Sequence, residues 1–375
     1  MQYRDFGKTG LRVSTLGFGT MRFTNDAEGK TDQKLVDRLI HTAIERGVNY
    51  FDTAQGYLDG QSEPALGKAL RGLRDKVYIA TKVGSWHDKG KGLIDLDAHL
   101  ESQLKQLQTD YIDCYLLHTL NDVHWPIFQK LDVLSWLERK QREGKIRFFG
   151  FSFHGAENYF PVILNAYDWD FTMIQYNYAD IKFQAGEAGL LASYAKGCGT
   201  AIMEPLRGGA LTEKLPPPIA KLLKDANPAL THAAWALRHL FDRKEVDIVI
   251  SGMNRMDHLE ENLALADDAE VNCLSAGERE TLRKAGELFY NLLHVPCTNC
   301  GYCTPECPQG IDIPTYFLRY NDYALFEVKW HKNAYLDTVK NSKPCIHCGA
   351  CIPECPQGID IPEMLDNVDK YFKSL

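Results

Sequence analysis

The chain has 375 residues, 45% of them hydrophobic and 25% charged, and a formal net charge of −8. This is the balance of an ordinary globular protein long enough for more than one domain. It excludes the basic face that nucleic acid requires. No run reaches the roughly 18 apolar residues of a membrane-spanning helix, and the polar start MQYRDFGKTG shows no secretory signal, so a cytoplasmic protein without a membrane partner is expected.

YRDFGKTGLRVS reads as a short hairpin turning at KTG. Apolar, β-rich runs then recur at 14–20, 49–54, 77–83, 111–119, 145–153, 171–178, 199–206 and 246–253. Several are continuous hydrophobic stretches, the pattern of strands buried on both faces. Helical periodicity lies between them. In QKLVDRLIHTAIERG, the apolar positions 35, 36, 39, 40, 43 and 44 share one face. Eight strand-plus-helix units in about 250 residues predict an α/β fold of the (β/α)8 TIM-barrel type. An open doubly wound sheet would carry a Gly-rich phosphate turn after an early strand, whereas the first run continues into TMRFTN. The barrel is expected over residues 1–285, with the hairpin plugging its lower end, and a smaller, mainly helical unit over 286–375. In the latter, the aromatic-rich stretch TYFLRYNDYALFEVKWHKNAYLDTVKN reads as helical.

Barrel chemistry sits where the strands end at the top face. Asp52 closes the second strand with Tyr57 just after it, Lys82 ends the third and His118 the fourth. Hydride reduction of a carbonyl puts charge on oxygen and needs a proton donor and an oxyanion stabiliser. Tyr57 suits the donor, Lys82 would lower its pKa, Asp52 would orient Lys82, and His118 would polarise the substrate oxygen.

Cysteines are sparse until residue 297, where CTNCGYCTPECPQGIDIP begins; CIHCGACIPECPQGIDIP follows from residue 345. Each copy is C-x2-C-x2-C-x3-C-P, the run of paired [4Fe–4S] clusters, in which the fourth cysteine ligates the other cluster. That rule gives Cys297, Cys300, Cys303 and Cys355 to one cluster, and Cys345, Cys348, Cys351 and Cys307 to the second. Zinc also takes C-x2-C pairs, but three cysteines two apart and a following Cys-Pro, twice over, favour clusters. Cys114, Cys198 and Cys273 stand alone and are expected to be inert.

Residues 1 to about 285 resemble the aldo-keto reductases in YRDFGKTGLRVSTLGFGTM, FDTAQGYLDGQSEPALGKAL, ATKVG, DCYLLHTL and LEENLAL. The resemblance implies a barrel that binds NADP or NAD across its top, with a tetrad at Asp52, Tyr57, Lys82 and His118. It implies Gln175 and Ser152 at the nicotinamide and the backbone of Leu206, Arg207, Gly208 and Gly209 at the pyrophosphate. At the adenosine end it implies Gly252, Arg255, Glu261 and Asn262. The chain departs from the family where Phe153 and His154 follow Ser152, and where Met203 precedes EPLRGG. Residues 290–370 resemble bacterial two-cluster ferredoxin domains. The expected function is carbonyl reduction of a small molecule by NAD(P)H. The alternative is delivery of single electrons by the clusters to a substrate or flavin, with a ferredoxin, flavodoxin or flavoprotein as partner. The sequence carries no flavin fingerprint, though a barrel top can bind flavin without one.

Overall fold

A computed structural model describes residues 1–85, 94–327, 329–341 and 343–374. Strands β1 (Tyr3–Asp5) and β2 (Arg12–Ser14) pair antiparallel across a 3-10 turn at Gly7–Thr9 and a left-handed Gly10, forming the hairpin. Eight parallel strands follow: β3 (Leu16–Gly19), β4 (Tyr50–Asp52), β5 (Tyr78–Val83), β6 (Ile112–Leu120), β7 (Ile146–Phe153), β8 (Phe171–Gln175), β9 (Gly199–Met203) and β10 (Ile248–Ser251). Pairing of β10 with β3 closes the barrel. Each strand lies within, or one residue beyond, a run read from the sequence.

The hairpin closes the bottom of the barrel. Phe6 is fully buried among Tyr50, Cys114, Phe171 and Ile248, and its ring lies so close to Gly199 that a Cβ there would stand 2.6 Å from it. Side chains alternate along a strand, so each inward apolar residue places the next inward residue two positions higher. Asp52 therefore stands above Tyr50, Lys82 above Ala80, His118 above Leu116, Gln175 above Met173 and Met203 above Ala201. The apolar members of these pairs form the barrel interior; the polar ones rise above it at the top. Alternate residues such as Phe149, Phe151 and Phe153 face the surrounding helices instead. Helix Gln33–Glu45 buries Val36, Leu39, Ile40 and Ala43, the face its periodicity foretells, and is capped by Asp32 on Leu35 N–H.

Helix Ala276–Asn291 starts in a capping box between Ser275 and Glu278 and runs through the expected junction at 285. Its Leu282, Ala285 and Phe289 pack with Ile219, Leu223 and, from the C-terminal unit, Phe326. The stretch expected to be helical between the cysteine copies forms two helices, Ile313–Phe326 and Lys329–Asn341, because Glu327 turns left-handed at φ 51° and ends the first. The repeated CPQGIDIP has a local cause in both copies. Gly310 and Gly358 take positive φ. Asp312 and Asp360 then cap helices Ile313–Phe326 and Ile361–Lys373, each with proline in its first turn. Among the described residues no helix is long and apolar enough to cross a membrane.

Candidate active site

Four polar side chains meet at one sector of the barrel top. Lys82, 1% exposed, donates to Asp52 Oδ1 and Oδ2 at 2.7 and 2.8 Å and to Thr53 O at 2.8 Å. A turn with Tyr57 N–H on Ala54 O brings the phenol back over this pair, and Lys82 Nζ lies 4.9 Å from the ring centre. His118 stands edge-on to Tyr57, ring centres 6.1 Å apart. Burial alone would lower the Lys82 ammonium, but Asp52 and Tyr57 outweigh it and hold the group charged. Burial raises the Asp52 carboxyl, and Lys82 pulls it back.

Lys82 lowers the Tyr57 phenol, as expected from the sequence, but it is not the largest influence on it. Burial pushes the phenol above the ordinary value; Lys82 offsets this only in part, and Asp52 adds to it. The same burial that strengthens the field of Lys82 also penalises the phenolate.

The DTAQGYLDGQSE segment also builds a support that sequence reasoning missed. Thr20 Oγ1 donates to Asp52 O at 3.0 Å and meets Ser62 Oγ at 2.6 Å, and Thr53 Oγ1 meets Ser62 at 2.9 Å. Behind Lys82, the fully buried Glu63 accepts from Thr81 at 2.5 Å and Gln103 at 3.0 Å, while its Oε2 has no partner among the described residues. Burial pushes Glu63 from 4.5 up to about 7. A carboxyl raised on folding contributes stability that is full below its unfolded value and lost as pH rises through the folded one. Stability is therefore expected to fall between about pH 4.5 and 7, by on the order of 3 kcal/mol from Glu63. Asp247 shares this window, so the quantity to read is the difference between the wild type and Glu63→Gln. Denaturation at several pH values should show a shallower slope in the variant, and parallel slopes would refute the assignment.

The positions expected at the cofactor divide into two sets. Ser152 is buried, and its Oγ accepts from Thr119 N–H at 2.8 Å. Phe153 does not face the rim; it packs outward on Phe160. His154 takes the inward position above Ser152, and burial pushes its imidazole down to about 4, so it is neutral. Gln175 donates from Nε2 to Asp180 Oδ2 at 2.9 Å, and Gln184 donates to Gln175 Oε1 at 3.4 Å.

The loop after β9 is left-handed at Glu204, Arg207, Gly208 and Gly209. Leu206 packs beneath it. The Arg207 side chain turns away to Asp180 and Asp322, at 2.8 and 2.6 Å. Arg22 crosses Gly252, where a Cβ would meet Arg22 Cγ at 2.8 Å and displace that side chain. The same Arg22 reaches the Gly208 loop and lowers the Glu204 carboxyl that burial raises. This exposed cation went unnoticed in the sequence, where nothing marks it. Arg255 is exposed and paired with Asp257. Glu261 accepts from Thr231. Asn262 is buried and donates to Ser251 Oγ, at the end of β10, at 3.0 Å.

The cysteines gather around two cavities. Cys297, Cys300, Cys303 and Cys355 line the first; Cys307, Cys345, Cys348 and Cys351 line the second. Ile313 borders both. In each copy the residue two after the first cysteine, Asn299 or His347, is left-handed. It points its N–H at that cysteine's sulfur, at 3.4 Å. Ile311 N–H does the same to Cys307. Four cysteines line each cavity, and backbone N–H groups face three of the eight sulfurs, a donor set that fits an iron–sulfur cluster. Cys114 and Cys198 are buried in the barrel.

The two units touch at defined points. Gly301, between cluster-type cysteines, lies against the loop after β7, where a Cβ on it would stand 2.3 Å from Ala156 Cβ. Glu157 N–H donates to Asn299 O at 3.3 Å, and Lys214 Nζ donates to Phe326 O at 3.2 Å.

Comparison with known proteins accords with this architecture. The model of the Aldo/keto reductase family matches residues 15–276, and that of a 4Fe-4S dicluster domain matches residues 296–359. The chain is 33% identical over 238 residues to the uncharacterized oxidoreductase YrpG of Bacillus subtilis (strain 168), covering 57% of this chain and 69% of that protein. It is similar to the holo form of the aldo-keto reductase AKR11C1 from Bacillus halodurans, with TM-score 0.62 and 29% identity over 76% of this chain and 96% of that one. It is also similar to an aldo/keto reductase from Klebsiella pneumoniae in complex with NADP and acetate, with TM-score 0.60 and 26% identity over 75% of this chain and 94% of that one. The chain belongs to the aldo/keto reductase family, as an oxidoreductase whose barrel is followed by a 4Fe-4S dicluster domain.

Proposed function

We propose that the protein reduces a carbonyl group of a small molecule with NADPH or NADH at the barrel top. Tyr57 is the proton donor and His118 the hydrogen-bonding partner of the carbonyl oxygen. The observation that carries this reading is the buried Lys82 ammonium, clamped by Asp52 and Thr53 beneath the Tyr57 ring. The nicotinamide, when bound, supplies a hydride, and negative charge then grows on the substrate oxygen. Tyr57 begins protonated, as a donor must, because burial holds its phenol up. Once its proton leaves, the phenolate faces Lys82, whose charge Asp52 maintains. The lysine thus acts mainly on the product side of proton transfer. Gln175 and Ser152 would hold the nicotinamide, with the 206–209 backbone, Gly252, Arg255, Glu261 and Asn262 along the rest of the cofactor. A relative crystallised with NADP supports the choice of cofactor.

The division into a barrel at 1–285 and an iron–sulfur unit at 286–375 belongs to the same reading. Two [4Fe–4S] clusters fit the two cavities, on Cys297, Cys300, Cys303 and Cys355 and on Cys345, Cys348, Cys351 and Cys307. A hydride carries two electrons and each cluster carries one, so direct exchange between them is unfavourable. The contact of Gly301 with Ala156 nevertheless favours a second reading. The loop it touches continues from Ser152 and His154. Through it the clusters would pass single electrons from a ferredoxin, flavodoxin or flavoprotein to a substrate or flavin at the barrel top.

An anaerobic assay with NADPH, a panel of small aldehydes and ketones, and continuous recording of the visible iron–sulfur band separates the two. Carbonyl-dependent NADPH oxidation with an unchanged band is the expected result. No oxidation with any carbonyl, together with product formation under a reduced viologen, would replace the first reading by the second.

A further inference from the structure

One buried chain of polar groups joins the barrel top to the iron–sulfur unit. Gln175 Nε2 and Asn177 Nδ2 both donate to Asp180 Oδ2, at 2.9 and 2.8 Å. Arg207 donates to Asp180 Oδ1 at 2.8 Å and, from its other terminal nitrogen, to Asp322 Oδ1 at 2.6 Å. Its guanidinium also lies over the rings of Phe289 and Phe326, at 4.9 and 5.7 Å. Asp322 sits on helix Ile313–Phe326, whose Ile313, Pro314 and Phe317 wall the first cysteine cavity.

The geometry limits what each group can do. With three donors on Asp180, the carboxylate is fixed, and the Gln175 amide is held with its nitrogen on Asp180 and its oxygen on Gln184 Nε2 at 3.4 Å. Arg207 divides its planar fork between two carboxylates. A guanidinium released from Asp322 can swing to take both oxygens of Asp180, the bidentate arrangement such pairs favour. That swing would displace Gln175 and Asn177. The partner preventing it lies 115 residues away, in the other unit.

We propose that Arg207 is a positioning residue, held by Asp322 of the iron–sulfur unit, that fixes the Gln175 amide through Asp180, so that tight nicotinamide binding requires the docked iron–sulfur unit. This rests on the reading that nicotinamide binds at Gln175.

The test uses the anaerobically purified, cluster-loaded full chain, with NADP⁺ binding followed by quenching of protein fluorescence, iron content, and steady-state kinetics. Asp322→Asn is expected to raise the NADP⁺ dissociation constant about tenfold, the scale of one or two displaced hydrogen bonds. Iron content should not change, and kcat at saturating NADPH should stay within about twofold. Asp322→Glu should recover most of the affinity. Lys214→Ala, which cuts the separate tie to Phe326 O, should leave it unchanged. Wild-type affinity in Asp322→Asn overturns the proposal, as does equal weakening in Lys214→Ala, which would indicate docking in general. Should Asp322→Asn lose its clusters, Arg207→Lys reads the same fork from the barrel side, and wild-type affinity there also overturns it. A wild type that binds no nicotinamide sinks the underlying reading and the proposal together, whereas a wild type that binds beside an insensitive Asp322→Asn sinks the proposal alone.

Discussion

Tyr57→Phe is expected to lower kcat for carbonyl reduction by about 10³-fold while NADP⁺ affinity stays within about twofold. The substitution removes one hydroxyl and leaves the ring that lies near Lys82 and edge-on to His118. Binding surface is thus preserved, and the loss falls on the step in which oxygen takes a proton. The raised phenol makes a second feature testable. Activity should persist well above neutral pH, because the donor stays protonated, and should decline only where Tyr57 itself ionises. Lys82→Met should be worse than the loss of one charge suggests, since it leaves the Asp52 carboxylate buried without its partner. Breaking such a pair costs about 3–5 kcal/mol. Steady-state kinetics across pH, with binding measured in parallel, checks these statements. Near-wild-type kcat in Tyr57→Phe would remove Tyr57 as the donor.

Cys355→Ala is expected to abolish the cluster built on the first cysteine copy, although Cys355 belongs to the second. About half the iron should be lost. The cause is visible in the cavities: Cys355 turns to Cys297, Cys300 and Cys303, while Cys307 turns to the other three. Double substitutions make the pairing measurable, because residues serving one cluster are not additive. Cys303→Ala with Cys355→Ala should lose no more iron than either alone, whereas Cys351→Ala with Cys355→Ala should lose both clusters. The reverse pattern would assign each cluster to its own copy. Loss of either cluster should also loosen the small C-terminal core, where the cysteines pack beside Ile313, Phe317 and Ile361, because metal-binding free energy in such modules is folding free energy.

Much of this was legible in the chain because it depends on local rules. Alternation along a strand has period two, so an apolar strand ending in a polar residue already says which group stands at the rim. Asp52, Lys82 and His118 follow from that, and the (β/α)8 layout follows from the count of such strands. The CPQGIDIP repeat is equally local: a cysteine, a glycine turn, an aspartate cap and a proline start give the same geometry wherever they occur. Where local rules met an exception, the reading slipped. The helix between the cysteine copies was read through Glu327, whose left-handed φ no propensity marks. Phe153 and His154 are legible in the sequence only as departures from the family pattern, and the alternation of β7 turns Phe153 outward and His154 inward.

By itself, then, the sequence determined the barrel, the polar groups at its rim, and the spacing of two interlocking sets of cysteines. Only the tertiary structure decided what each group rests against. It set Tyr57 deep enough that burial outweighs Lys82, left Glu63 as a half-satisfied carboxyl behind that lysine, and laid Arg22 across Gly252. It also turned Arg207 from the expected cofactor loop toward Asp180 and Asp322. The physical reason is range. Strand and helix periods fix the direction in which a side chain leaves the backbone over a few residues. Desolvation and ion pairing depend on partners that may be 115 positions away, as Asp322 is from Arg207, and no local pattern encodes those partners.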